Sequence, residues 1–408
     1  MENTISFQES LIQEESKIKS VGILLGIPLY IYAIIFSSIS IIVGLIWDIS
    51  WHTSIGRDGL FSPPHLAIYL GAVVSGLFSG FQVFKISFWG TKVEKNQSVP
   101  FWKIFYSSLG GMFCIWGAIA MLTSAPFDDW WHNTYGLDVV ILSPPHTVLA
   151  LGIIMVQFGA MIGTLALQNR AENLQGWTTS DINRRNARLR LMFVIASGLV
   201  LVMVYTLLSE YFSRHDMHKS LCYQVGSVIF PLFLVAVGRA SKLKLAATAM
   251  AGVYMFMLAS MVWVLYFVPA TPLLGPVLNH ITTYQPFNFP LLLVFPALAI
   301  DWLLNKYENK NQWLLSLFLG FAFLAIFFVV QYPFGDFLMS EYSRNWFFGT
   351  ESWYFGNDPT WEGRYKYMPW NTEEPLVLLK GLAIALPIAI LSARVGLVWG
   401  NWMKQVQR

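Results

Sequence analysis

Apolar and polar positions alternate along this chain in long blocks rather than in short amphipathic periods. Ten apolar runs stand out, at 21–46, 65–84, 104–124, 146–167, 190–209, 222–238, 244–268, 288–304, 313–331 and 376–399. About 20 such residues in a helix cross the hydrocarbon core of a bilayer, and a helix satisfies its own backbone hydrogen bonds there. The pattern therefore predicts an all-α polytopic membrane protein of about ten transmembrane helices. Composition strengthens this reading. Of 408 residues, 55% are hydrophobic and 12% charged, with a mean hydropathy of +0.53. A soluble domain carries about 25% charged residues, so most of this surface is expected to face lipid, in a cell (inner) membrane.

The placement of charge adds an orientation. Lys and Arg concentrate in alternate connections: Lys85, Lys92, Lys95 and Lys103 in the second, Arg170, Arg184, Arg185, Arg188 and Arg190 in the fourth, Arg239, Lys242 and Lys244 in the sixth. The positive-inside rule puts these in the cytoplasm, with both termini. Residues 1–20 then form a cytoplasmic tail, polar and acidic and without the form of a cleaved signal peptide. The sequence divides further into a duplicated helical unit at 21–168, a cytoplasmic loop at 169–189, further transmembrane helices at 190–331, an external aromatic-rich loop at 332–375, and a last helix with its tail at 376–408. Cys114 and Cys222 are the only cysteines, too few for a disulfide framework or a thiolate metal site.

The polar stretches between the runs hold an internal repeat, 47–71 and 127–152. Aligning Asp48 with Asp128 brings Trp51, His52, Gly56 and Asp58 onto Trp131, His132, Gly136 and Asp138. One inserted residue later, Ser62-Pro63-Pro64-His65 falls on Ser143-Pro144-Pro145-His146, and Leu70-Gly71 on Leu151-Gly152. Both copies join an odd span to an even one. The repeat is thus parallel, unlike the inverted repeats of many transporters.

Asp48 and His52, like Asp128 and His132, are four apart, which stacks both side chains on one helix face. Ser-Pro-Pro reads as a helix start, with Ser62 and Ser143 at the N-cap and Pro in the first turn. Each second His then lies on the first turn of a returning helix, and a short hairpin brings it back to the Asp–His pair. A carboxylate with two imidazoles holds a divalent metal and leaves positions open. Asp48, His52, His65, Asp128, His132 and His146 are the expected ligands, in two mononuclear sites or in one dinuclear site; a shared or adjacent arrangement is favoured. Asp58, Asp138, Asp129, His215 and His218 are candidates for orienting groups or extra ligands. All seven His fall on the side predicted to be external, or periplasmic. The catalytic residues are not assigned.

The spacing Asp48-x3-His52-x12-His65 resembles the metal-binding motif in the C subunit of copper membrane monooxygenases, the methane and ammonia monooxygenase group. The resemblance covers 18 residues; the second copy, Asp128-x3-His132-x13-His146, departs from it by one residue, and the duplication is not part of the motif. It implies copper, with iron or zinc as alternatives, and an oxygen-dependent monooxygenase or oxidase acting on a small or lipid-soluble substrate beside an electron donor or partner subunits. Two other classes use the same residues: a transporter coupled to ions or protons, and an assembly or metal-delivery factor. The transporter calls for polar groups near the midplane, whereas Lys380 and Asp301 lie near predicted helix ends. No HExxH, P-loop or dinucleotide fingerprint occurs, and no nucleic-acid partner is expected.

Overall fold

The computed structural model of the chain describes residues 23–136, 143–170, 177–308 and 311–408. Among them are ten substantial helices: α1 Leu29–Ser54, α2 Pro63–Phe84, α3 Leu109–Tyr135, α4 Pro144–Asn169, α5 Thr179–Leu207, α6 Ser220–Ala240, α7 Ala246–Tyr266, α8 Val294–Lys306, α9 Gln312–Leu338 and α10 Pro375–Met403. Nine of these, all but α8, are long and apolar enough to cross a membrane, α2 continuing to Trp89 for this purpose. The chain is a multi-pass, largely helical membrane protein. Two small antiparallel hairpins, Ile23–Leu24 with Ile27–Pro28 and Val99–Phe101 with Phe105–Ser107, add the only strands among the described residues.

The eighth apolar run, 288–304, behaves differently from the other nine. Its helix is 13 residues long, about 20 Å at 1.5 Å per residue against a hydrocarbon core of about 30 Å. Pro286 and Pro290 remove amide donors and restrict their neighbours, so the chain reaches α8 as irregular backbone. That backbone lies in the protein interior and borrows partners from side chains. The Leu291 amide donates to the Tyr254 hydroxyl at 3.1 Å and the Leu292 amide to Gln331 Oε1 at 3.0 Å. Irregular backbone inside a membrane protein survives only where it is satisfied in this way. A buried carboxylate does a related task nearby: Asp301 on α8 accepts from the Ala247 and Thr248 amides at 3.1 and 2.8 Å and from the Thr248 hydroxyl at 2.7 Å. These bonds cap α7, whose own N-cap residue Leu245 supplies none.

Helices α1 to α4 close into a ring in which α1 packs on α2, α2 on α3, α3 on α4 and α4 on α1. The repeat is structural as well as sequential. A Cβ on Gly71 would meet Ser37 O at 2.8 Å and Ile41 Cγ1 at 2.5 Å; one on Gly152 would meet Gly117 O at 2.8 Å and Met121 Cγ at 2.7 Å. Gly117 and Met121 stand 80 residues beyond Ser37 and Ile41, the offset of Asp128 from Asp48. Both hairpins thus close at the same backbone-to-backbone contact, which only glycine permits. Gln157 on α4 bonds Ser38 on α1 through its amide nitrogen to the carbonyl at 3.1 Å and through a buried contact with the hydroxyl. α5 lies against α1 and α4 and carries α7 on its other side; α6, α9 and α10 form the far half.

Residues 339–374 fold as a cap over the end of α1. Phe355 donates to Thr53 O at 3.4 Å and accepts from the Leu278 and Asn279 amides at 3.0 and 2.8 Å. From the 268–290 connection, Leu273 donates to Ile55 O at 2.8 Å and the Gln285 amide to Ser54 Oγ at 2.7 Å.

Candidate metal centre

Both outgoing helices run past their apolar stretches. α1 carries on from residue 46 to Ser54 and α3 from 124 to Tyr135, so each Asp–His pair occupies a regular final pair of turns. The chain then leaves through Gly56 and Gly136, each at φ +90°, a region costly for a residue with a Cβ. The return begins at Ser62 and Ser143. Ser143 acts as expected, its hydroxyl accepting from the His146 amide at 3.4 Å. Ser62 occupies the same position but its hydroxyl makes no capping bond; its carbonyl takes the Leu66 amide instead, at 3.0 Å.

In the first hairpin, His65 Nε2 lies 3.3 Å from Asp48 Oδ1 and 3.2 Å from Asp58 Oδ2. His52 Nε2 stands at the rim, 3.8 Å from Asp48 Oδ2 and 3.7 Å from Asp58 Oδ2, with its side chain half exposed. In the second, Asp128 Oδ1 lies 3.4 Å from both His132 Nε2 and His146 Nε2. Asp48, Asp58 and His65 form one group able to hold a metal ion, and Asp128, His132 and His146 a second. The ligand atoms thus fall into two groups.

The distances are informative. A charge-assisted N–H···O bond is about 2.7–2.9 Å long, shorter than any of these. Two ligand atoms each about 2.1 Å from one metal and about 90–109° apart stand about 3.0–3.4 Å from each other. Four of the six separations, those from 3.2 to 3.4 Å, fall in that range. Asp48 Oδ1 and Asp128 Oδ1 are also buried without a hydrogen-bond partner, which is costly for a carboxylate oxygen.

Tautomers point the same way. His65 Nδ1 lies 3.0 Å from Gly59 O and His132 Nδ1 3.3 Å from Gly136 O. A carbonyl accepts only, so Nδ1 carries a proton and Nε2 is the ring atom turned toward the carboxylates. A carbonyl bond at Nδ1 is also the usual outer partner of a metal-ligating imidazole. The Asp58 carboxyl is held below the ordinary carboxylate range, chiefly by its contact with His65, against an opposing effect of burial.

The structure thus gathers all six expected ligands, with His52 set back. It brings Asp58, a candidate for an orienting group or an extra ligand, into the first cluster. That residue lies in an irregular loop, where side-chain direction has no period to read. Asp129 is exposed and accepts from Asn133 Nδ2 at 3.3 Å, outside the second cluster. Asp138 lies outside the described residues. His215 and His218 join neither centre: His215 stacks near Trp353 and Trp361 at 5.2 and 5.9 Å, and His218 pairs with Asp336 at 3.0 Å. Tyr69 is a site residue that sequence reasoning passes over. It sits one turn after His65 on the helix that packs against α3, and the charges of Asp128, Asp48, Asp58 and Asp129 all act on its hydroxyl. The clusters are therefore neighbours. Compared with protein-family models, curated proteins and solved structures, the chain matches none; what stands is a membrane-spanning helical protein with two Asp/His clusters able to coordinate metal.

Proposed function

We propose that this chain is a membrane metalloenzyme that carries out an oxygen-dependent oxidation of a small or lipid-soluble substrate at two Asp/His centres, with copper as the metal. The observation that carries this reading is the duplicated hairpin, with a buried, unpartnered carboxylate oxygen facing imidazole Nε2 in each copy. Asp48, Asp58 and His65, with His52 at the rim, hold the first ion; Asp128, His132 and His146 hold the second. A redox metal supplies one-electron chemistry with dioxygen, which no ordinary side chain provides. The Gly59 and Gly136 carbonyls orient the His65 and His132 rings, and the three or four ligands that each centre offers among the described residues leave positions open. Copper and oxygen chemistry follow from the Asp48-x3-His52-x12-His65 resemblance to the copper membrane monooxygenases. If one oxygen atom enters the substrate and the other leaves as water, two electrons and two protons come from a donor outside this chain. The centres face the periplasm or exterior and the termini the cytoplasm, as the Lys and Arg distribution supports.

Metal analysis with electron paramagnetic resonance of the purified protein tests the reading. The expected result is two copper ions per chain with nitrogen hyperfine structure, lost in part on His65→Ala and in part on His146→Ala. Full occupancy by a redox-silent metal such as zinc, or metal-dependent ion flux in sealed vesicles without oxygen uptake, overturns it.

A further inference from the structure

Between the cap and α1 lies a cavity of about 280 Å³, away from the metal-ligating face. α1 contributes Ile49 and Thr53, each about 100° round the helix from Asp48 or His52, and Ser50, about 200° round from both. The opposite wall comes from 212–217, 285–289 and 348–354. Three polar groups on this wall lack the partners that their burial calls for. Arg214 has no carboxylate within ion-pairing distance among the described residues; its guanidinium rests over the Trp353 ring at 4.7 Å. Burial, with Arg364 and Arg344 nearby, brings it down to about 10, so it stays cationic at neutral pH. His215 Nε2 is buried with no partner, and burial followed by the Arg214 charge lowers this imidazole to about 4. Gln285 is 4% exposed. Its Nε2 donates to Thr283 O at 3.0 Å, which fixes the amide orientation and leaves Oε1 unpartnered.

An unpaired cation asks for an anion, and a buried, unpartnered acceptor asks for a donor. The lining also holds several aromatic rings, Phe212, Phe287 and Phe348 among them. We propose that this cavity binds a small organic carboxylate whose apolar body carries a hydrogen-bond donor such as a hydroxyl. The carboxylate pairs with Arg214, whose planar fork suits two parallel bonds; the body lies among the phenylalanines; the donor reaches Gln285 Oε1. The volume lies near the lower end of small-molecule sites, which suits one ring or a short chain. The site is independent of the metal assignment.

The probe is 4-hydroxybenzoate, titrated calorimetrically into the full chain in lipid nanodiscs, with benzoate and inorganic phosphate as controls. Saturable binding is expected. Arg214→Gln should weaken it by about tenfold or more, as loss of a charge-assisted pair implies, and Arg214→Lys by less. Gln285→Leu should weaken 4-hydroxybenzoate about fivefold but leave benzoate unchanged, a difference that misfolding does not produce and that stands if Arg214→Gln fails to fold. Competition by 10-hydroxydecanoate supports the same site with the bilayer as source; its failure to compete supports a water-borne ligand. No saturable binding, phosphate binding as tight as 4-hydroxybenzoate, or binding unchanged in both folded Arg214 variants overturns the proposal.

Discussion

Replacing Asp128 by Asn separates the two centres from each other. The substitution keeps shape and volume but removes a carboxylate that faces both His132 and His146 at 3.4 Å. Loss of an outer partner of a metal ligand already costs about 10–100-fold in affinity, so loss of a charged ligand sets a floor of about 100-fold. At a free metal concentration about ten times the wild-type dissociation constant, occupancy of the second centre falls from about 90% to about 10%. The first centre keeps Asp48, Asp58 and His65, and the total falls from about 1.8 to about 1.0 ions per chain. Stabilisation by the second ion drops from about 1.4 kcal/mol to under about 0.1 kcal/mol at that concentration. Metal content after buffered equilibration, read with the thermal midpoint, measures both quantities. Asp129→Asn is the control, because Asp129 is exposed and bonds Asn133. An unchanged metal content in Asp128→Asn removes Asp128 from the ligand set. A fall of both ions together refutes two separate centres.

Further outcomes follow from the packing. Asp301→Ala should destabilise the α7–α8 contact by about 3 kcal/mol, since it strips a buried acceptor from three donors at the start of α7; thermal unfolding in detergent checks this, and a change under about 0.5 kcal/mol would sink the capping argument. Gly152→Val should force α4 from α3 at the Gly117 carbonyl, costing about 1–3 kcal/mol and lowering metal content at the second centre alone, whereas Gly71→Val should do so at the first. His215 has a folded value of about 4 against about 6.5 unfolded. Below pH 6.5 the unfolded chain takes the proton first, so the stability this imidazole contributes is whole above 6.5 and declines down to pH 4, by roughly 3 kcal/mol at most. Cap-opening denaturation across that window should flatten in His215→Phe, and a slope that survives the substitution assigns the effect elsewhere.

The helical layout was legible because hydropathy and backbone hydrogen bonding agree over most of each run. They part company at the functional ends. A hydropathy reading stops at residues 46 and 124, where polar side chains begin, but the backbone continues its bonds through the Asp–His turns until Gly56 and Gly136 turn it away. The run at 288–304 misleads for the opposite reason. Its residues are apolar enough, yet Pro286 and Pro290 keep the chain before α8 irregular, and only tertiary partners, Tyr254 and Gln331, make that burial tolerable. Of the candidate ligands, the helical ones were readable by i, i+4 spacing and by the Ser-Pro-Pro start. Asp58 was named through the repeat, as an orienting group or an extra ligand, and its place could not be narrowed further because a loop has no period. The cap cavity left no local signal: Ile49, His215, Gln285 and Trp353 come from four separate segments, and nothing near any one of them in sequence announces the other three.

Duplication is written into the backbone of both hairpins: the glycine contact between outgoing and returning helices, the φ +90° turn and the proline-led return recur in each copy. Their surroundings differ. The first cluster sets Asp48, Asp58 and His65 together with His52 half exposed, and the cap holds its hairpin through Thr53 and Ile55. The second sets His132 and His146 around Asp128, beside an exposed Trp130 and Tyr135; Asp138, the counterpart of Asp58, lies outside the described residues. The α2–α3 contact sets the two clusters side by side, with Tyr69 under the charge of both. A ring built twice from one hairpin design therefore presents two neighbouring Asp/His clusters, and the cap fixes the first of them in place.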